Sequence, residues 1–385
     1  LPNLNSHKGS IKSATDNTAA AFQALSGNPN VDIASNIQAA LRAGRRASSI
    51  LKEVIQLARG PGRLTPQEYF YYRLWDPDIP FAEKRRFVGK RAQHSMHMAC
   101  NSKYWYCATA DKILFHTIMK GAGFPVPELL AIAAQNRCAK DVTSLPSSAE
   151  LASFLRQPEL YPIFIKPVDG KYSLSVFSVD HFTRTSDQIM LLDGSMVSPD
   201  SLAAGLTDGS GNLVQRRLRQ APALVNRFGP RLWSVRILIL IRPAGPVVHR
   251  AVAKIATGVN PADNYWRPGN MLGAIDLYTG RIWRVVRGTG AGLVADENHR
   301  DTGNVLVGTS IPNWGQVVDM VQRAATVFAG IRTQSWDVAL TDHGPVLLEA
   351  NYGGDLNLAQ LASGEGVLDH VYAAHLEECR YQHGN

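Results

Sequence analysis

Glu349 and Asn351 stand two positions apart at the end of an apolar run, GPVLLEANYGGDLN (344–357), and Asp337 lies in the alternating stretch SWDVALTDHG (335–344) just before it. Two carboxylates and an amide oxygen form a hard donor set suited to Mg2+ or Mn2+. The Asp-His-Gly composition predicts a three-residue hairpin loop with Gly344 in the left-handed position, so that Thr341 faces Pro345 and Asp337 lies opposite Glu349. Strand side chains alternate, which puts Asp337, Glu349 and Asn351 on one face and Val338, Leu340, Val346, Leu348 and Ala350 on the core face. Opposed carboxylates repel unless a cation lies between them, so the hairpin reads as a divalent-metal platform. A solvated edge hairpin is the alternative, and a bulge would shift the register.

Upstream, PIFIKPVDGKYSLSVFSVD (162–180) sets Lys166 near the end of a buried strand, ahead of a glycine turn. Backbone N–H groups of that turn, with Lys171 beside them, could cover phosphate oxygens while Lys166 reaches a nucleotide from the strand. The same Asp-Gly pair is also an ordinary hairpin turn, and the P-loop pattern GxxxxGK[ST] does not occur. Arg236 in WSVRILIL and Lys254 in HRAVAKI are single cations in apolar strands, where such residues snorkel or pair. RGTGAGL (287–293) lacks the strand–helix context of a dinucleotide loop and reads as a plain loop.

These groups need elements to hold them. Residues 1–30, rich in Asn, Ser, Thr and Ala, lack a sustained period and read as a loose arm. From 31 to about 118 the spacing is helical: VDIASNIQAALRAGRRASSILKEVIQLARG stops at GPG, and LTPQEYFYYRLW opens with a Thr cap and Pro at the first helical position. From about 125 onward strands alternate with helices. YPIFIKPV, LSVFSVD, NLVQRRL, SVRILILI, VVHRAVAKI, NMLGAIDL, WDVALT and PVLLEAN read as strands, and the density of hairpin turns predicts largely antiparallel sheets in an α+β architecture.

With 385 residues, 45% hydrophobic and 19% charged, the chain has ample core for two or three domains. No apolar run reaches membrane-spanning length and no signal-peptide pattern opens the sequence, so a cytoplasmic protein without a membrane span is expected. Cys100, Cys107, Cys138 and Cys379 show no CxxC spacing and no adjacent histidine pair, which predicts free thiols rather than a zinc site or disulfide framework. The net charge of +8 favours anionic partners. The basic clusters RAGRRASS and EKRRFVGKR read as solvated helix faces or anion-binding patches.

The order of these pieces resembles the ATP-grasp superfamily, in its sugar-transfer associated branch, over roughly residues 65–375. DKILFHTIMKGAGFPVPEL (111–129) looks like the family's opening segment. The resemblance gives Lys112 and Lys166 to ATP phosphates, Gly170, Lys171 and Ser173 to the nucleotide-covering loop, and Gln215, Arg216 and Leu218 to the adenine hinge. It implies that Arg236 and Lys254 act at the reacting centre and that Asp337, Glu349 and Asn351 hold Mg2+. NPADNYWRPGNMLGAIDLYTGRI and HRDTGNVLVGTSIPNW look like segments particular to the branch.

The implied fold is α+β, with ATP held between antiparallel sheets. A helical N-terminal region at 31–110 precedes an ATP-grasp domain at 111–375, divided into subdomains at 111–215 and 216–375. Gln215 stands where many relatives carry Glu, so nucleotide preference is open. The implied activity is ATP-dependent carboxylate–amine ligation through an acyl phosphate, on a small-molecule, peptide or sugar carboxylate and an amine. A hydroxyl-directed phosphotransferase and a nucleotide-binding scaffold for an anionic polymer are the alternatives; nucleic acid is not an expected partner.

Overall fold

The structure, a computed structural model, describes residues 31–169 and 175–383. The expected arm at 1–30 and the loop residues Gly170, Lys171 and Ser173 lie outside the described residues. The described residues form two compact units, one within Leu1–Met96, Gly288–Val294 and Gly364–Asp369, the other within His97–Arg287, Ala295–Ser363 and His370–Asn385.

The described part of the first unit is helical: α1 (Ile33–Arg42), α2 (Ala47–Arg59), α3 (Pro66–Tyr71), α4 (Phe81–Lys84) and the start of α5 (Lys90–Cys100). The Thr65 side chain accepts from the Glu68 backbone N–H at 3.2 Å while Glu68 Oε2 accepts from the Thr65 N–H at 2.8 Å, a capping box that satisfies two orphan donors. The other oxygen, Glu68 Oε1, accepts from the Lys90 N–H at 2.6 Å and so holds the start of α5. A Cβ at position 89 would lie 2.4 Å from Glu68 Oε2, which is why Gly89 stands there. The glycine run after Arg287 has a similar reason: a Cβ on Gly290, at φ +57°, would meet the Asn36 amide at 2.8 Å.

The two basic clusters are not simply solvated. Arg45 from the first and Lys84 from the second converge on Glu53, at 2.5 and 3.1 Å, and the Tyr69 hydroxyl donates to Glu53 Oε2 at 2.7 Å. Lys84 is 1% exposed. Burial pushes the Glu53 carboxyl upward, but the bonds from Tyr69, Arg45 and Lys84 more than offset this and hold it below its ordinary value. Burial pushes Lys84 down despite its partner.

The second unit carries two seven-stranded sheets. The first contains β1 (Leu129–Ala133), β2 (Thr143–Leu145), β3 (Ile163–Pro167), β4 (Phe177–Thr183), β5 (Gln188–Leu191), β6 (Met196–Val197) and β7 (Asn212–Arg216), in the order β2-β1-β7-β3-β4-β5-β6. Before it stand α6 (Tyr106–Ala110) and α7 (Lys112–Gly121); α8 (Ser148–Leu155) and α9 (Pro199–Ala203) lie between its strands in sequence. Leu151, Phe154, Ile163, Ile165, Val179, Ile189 and Val214 form its core.

The second sheet follows α10 (Pro222–Phe228). Its strands are β8 (Ser234–Arg242), β9 (Gly245–Ile255), β10 (Met271–Ile275), β11 (Ile282–Arg287), β12 (Val294–Ala295), β13 (Thr333–Thr341) and β14 (Gly344–Asn351), in the order β12-β11-β10-β9-β8-β13-β14. The amphipathic α11 (Trp314–Ala325) buries Val317, Met320, Val321 and Ala324 in the core behind the sheet with Trp233, Val235, Ile237 and Trp336. Two more helices, α12 (Leu356–Ser363) and α13 (His370–His383), complete the described chain. The architecture is α+β, and among the described residues no helix is long and apolar enough to cross a membrane.

The expected hairpin loop needs correction. Thr341 pairs with Gly344 and Leu340 with Pro345, so two residues turn the chain instead of three, and Gly344 sits at φ +100°. The register then shifts between Val338, opposite Leu347, and Asp337, opposite Glu349. Leu348 is the extra residue of this bulge. Leu347 rather than Leu348 therefore enters the core with Ala350.

Replacing Glu53 with Gln should lower the stability of the first unit by about 3 kcal/mol, because Lys84 and Arg45 lose their buried counter-charge. Lys84→Met should be neutral or stabilising. The carboxyl is depressed in the folded state, so its contribution is present above the ordinary carboxylate range and fades as pH falls through the lower folded value. Thermal melts of wild type and both variants from neutral to acidic pH measure this, and Glu53→Gln should show the shallower acid limb.

Candidate active site between the two sheets

The site face of the second sheet follows from period two. Ser234 and Arg236 on β8 face Lys254 and Val252 on β9, while Arg236 also faces Asp337 on β13, which in turn faces Glu349 on β14. Neighbouring strands thus carry Lys254, Arg236, Asp337 and Glu349 in a row, and Asn351 extends the row opposite Ser335.

Asp337 is the hub. Its Oδ1 accepts from Arg236 Nε at 2.7 Å and its Oδ2 from Arg236 Nη2 at 2.7 Å, a bidentate fork. Lys254 Nζ donates to Oδ2 at 3.0 Å. Burial at 3% exposure would raise the Asp337 carboxyl, but Arg236 and Lys254 drive it far below the carboxylate range. The cation that opposed acids demand is therefore supplied by the chain itself. Arg236 also stands 3.9 Å from Glu349 Oε1.

Glu349 is the open member of the pair, with 30% of its side chain exposed, and its Oε1 accepts from Asn351 Nδ2 at 3.3 Å. A half-turn of that amide would set the Asn351 oxygen beside the same carboxylate. One exposed carboxylate with a neighbouring amide oxygen fits Mg2+, which takes one or two carboxylates and completes its shell with water and phosphate oxygens. Asp337, engaged at both oxygens by cations, is a less available donor.

Two groups join the site that the sequence reading did not assign. Asp263, in the loop NPADNYWRPGN between β9 and β10, accepts from Lys254 Nζ at 3.2 Å and from the Ser234 hydroxyl. Burial opposes the charge of Lys254, but Asp263 and Asp337 raise its pKa overall. The available signal was an acid inside a Pro- and Asn-rich loop joining two apolar strands, which by itself marks only a turn.

The first sheet contributes the lysines. Lys166 faces Leu213 across β7, and Phe164 faces Gln215, so Lys166 and Gln215 share the face opposite the Ile163, Ile165 and Val214 core. A small apolar cluster of Ile113, Leu129, Ile132, Val168 and Leu213 underlies that face. Asp111 caps α7, accepting from the Ile113 and Leu114 N–H groups at 2.9 and 3.0 Å. This docks Lys112 onto the end of β3, its N–H at 3.1 Å and its Nζ at 3.4 Å from the Val168 carbonyl. Burial, with Lys112 nearby, pulls Lys166 down to about 8, while Glu349 and Asp337 pull the other way.

The expected hinge residues divide. Gln215 is buried on the lysine face. Arg216 projects elsewhere: its backbone N–H bonds the Glu128 carbonyl at 2.9 Å and its guanidinium bonds Glu128 Oε2 at 3.2 Å and the Leu160 carbonyl at 2.5 Å. Leu218 follows β7 in irregular chain and is half-buried.

Among solved structures, the ATP-grasp ligase PsnB complexed with a minimal precursor aligns at TM-score 0.40 and 14% identity, over 77% of this chain and 70% of its own. The L-amino acid ligase from Bacillus licheniformis aligns at 0.37 and 12%, over 78% and 50%. N5-carboxyaminoimidazole ribonucleotide synthetase from Thermotoga maritima aligns at 0.37 and 12%, over 75% and 56%. The chain thus spans about half the length of the last two. A search of curated proteins finds no match. The profile of the sugar-transfer associated ATP-grasp family matches residues 91–375, most of the chain and all of the strands just described, and the protein belongs to that family.

Proposed function

We propose that the protein is an ATP-dependent carboxylate–amine ligase that activates a carboxylate as an acyl phosphate and transfers the acyl group to an amine, releasing ADP and phosphate. One observation carries the reading. Lys166 on one sheet, with Lys112 near it, lies within electrostatic reach of Glu349 and Asp337 on the other, so a cationic pair suited to a polyanion faces the acid–cation cluster.

The division of labour follows from which donors remain uncommitted. Lys112 and Lys166 offer positive charge to phosphate oxygens, and the charge on Lys166 is costly until an anion arrives. Arg236 spends Nε and Nη2 on Asp337 and keeps Nη1 unpartnered among the described residues. Lys254 spends two bonds, on Asp337 and Asp263, and retains a third donor. These two fixed donors suit the oxyanion of an acyl phosphate and of the tetrahedral adduct formed when an amine attacks. Asp337 and Asp263 act as positioning residues that orient Arg236 and Lys254. Glu349 and Asn351 would hold Mg2+, which supplies charge neutralisation on the phosphates. Small-molecule, peptide and sugar carboxylates all present the same planar anion to this cluster.

The test is nucleotide turnover against pooled carboxylates and amines, with chromatography of the spent nucleotide and mass spectrometry of the product. ADP release requiring both pools, with a new amide, is expected. Stoichiometric AMP would overturn the acyl-phosphate route, and ADP release with a hydroxyl acceptor alone would make the protein a phosphotransferase.

Glu349→Gln removes a half-open charge whose nearest cation is 3.9 Å away, so the free protein should change by less than about 1 kcal/mol. The gain in melting temperature from Mg2+ with ATP should shrink, and kcat should fall by about two orders of magnitude or more. Melts with and without Mg2+ and ATP, beside turnover, check both.

Lys166 carries a pH signature. Its folded pKa of about 8 lies below the ordinary lysine value, so burying its charge costs stability below that pH, and the cost is relieved as pH rises from about 8 toward the ordinary value. A bound polyphosphate restores the charge. ATP binding at pH 8.5 should therefore take up protons, and affinity should fall as pH rises. Titration calorimetry in buffers of different ionisation enthalpy measures the uptake, which Lys166→Met should abolish.

A further inference from the structure

Away from the cleft, three soft or borderline donors meet in the core of the second unit. Cys100 ends α5, and His375 and Cys379 sit four residues apart on one face of α13. Their ligand atoms all lie within 4.8 Å of one another, and all three side chains are buried, His375 and Cys379 at 0% exposure. The separation of His375 Nε2 from Cys379 Sγ is 3.6 Å. That is close to the edge of a tetrahedron with metal–nitrogen bonds of about 2.05 Å and metal–sulfur bonds of about 2.3 Å.

The arrangement is braced from outside. Asn101, next to Cys100, donates to the Thr333 carbonyl at 3.0 Å and accepts from the Thr333 N–H at 2.8 Å, which fixes the end of α5 against the start of β13. The Thr333 hydroxyl, 3.0 Å from His375 Nε2, brings an oxygen to the cluster. Arg242 on β8 forks to Glu378 at 2.5 and 3.2 Å and pins the α13 turn that carries Cys379. Two sulfurs and an imidazole suit a thiophilic ion and are poor partners for the hard Mg2+ or Mn2+ of the hairpin.

We propose that Cys100, His375 and Cys379 bind a structural Zn2+ ion, with the Thr333 hydroxyl or a water in the fourth position, tying α13 and the end of α5 to β13. Binding releases thiol protons to solvent as the sulfurs become thiolates. The site stands apart from the ATP-grasp cleft and does not depend on the reaction assigned there.

The full chain, purified without metal-affinity chromatography from zinc-supplemented cells, should carry about one zinc per chain by elemental mass spectrometry. Cys379→Ser and His375→Gln should lose most of it, while Glu349→Gln should keep it. Metal-free wild type titrated with Co2+ should develop sulfur-to-cobalt charge-transfer bands and the visible bands of tetrahedral cobalt. This arm stands even where the variants fold poorly. A folded wild type with neither zinc nor cobalt bands overturns the proposal, as does zinc unchanged by Cys379→Ser. A Cys100–Cys379 disulfide, lighter by two hydrogens and forming equally with zinc present, also overturns it and makes the pair a redox bridge.

Discussion

The clamp of Arg236 and Lys254 on Asp337 is the constraint around which the second sheet is arranged. A carboxylate at 3% exposure is tolerated because three charge-assisted hydrogen bonds replace its water. Those bonds require β8, β9 and β13 to be neighbours in a fixed register, since a slip of one residue would turn Arg236 or Lys254 to the far face. The apolar side of the same strands, with Trp233, Ile237, Trp336 and Val338 in one core, enforces that register independently. Polar alignment and hydrophobic packing specify the same pairing. Removing Asp337 alone would leave two cations buried, a far larger disturbance than the loss of one contact.

The clamp also explains why charge counting alone does not define a metal site. Opposed acids suggest a missing cation, yet here Arg236 lies between them, leaving Glu349 as the partly solvated member. The proposal of a hard ion at the hairpin then rests on exposure and donor type at Glu349 and Asn351, rather than on unrelieved repulsion.

Much of this was legible in the sequence, and the gaps have physical reasons. Strands with strong alternation or β-branched runs, such as those carrying Lys166, Arg236 and Glu349, announce themselves through period two. Leu129–Ala133 and Thr143–Leu145 were not among the expected strands, because a short run of Leu, Ile and Ala fits a buried helix turn equally well and a three-residue strand has no period to detect. Ile282–Arg287, read Ile-Trp-Arg-Val-Val-Arg, escapes for a related reason: its apolar residues fall in adjacent pairs and its burial does not follow period two. Asp263 and the Cys100–His375–Cys379 cluster were hidden for a different reason. Their partners are brought together by tertiary folding across long stretches of chain, and no local spacing encodes that. Lys84 likewise reads as part of a solvated basic run until Glu53 is seen beside it.

The bulge at Leu348 bears on how securely the hairpin delivers its side chains. A three-residue turn without a bulge and a two-residue turn with one contain the same number of residues. Beyond the extra residue both give the pairing Asp337 with Glu349. The two differ in which leucine faces the core, and the chain carries leucine at both 347 and 348. Either path of the tip buries a leucine and leaves the pairing of Asp337 with Glu349 unchanged, so turn conformation and the placement of the two acids are uncoupled. The doubled leucine acts as a mechanical buffer: a substitution at the solvent-facing tip can change the turn while the acid pair further along the same hairpin keeps its alignment.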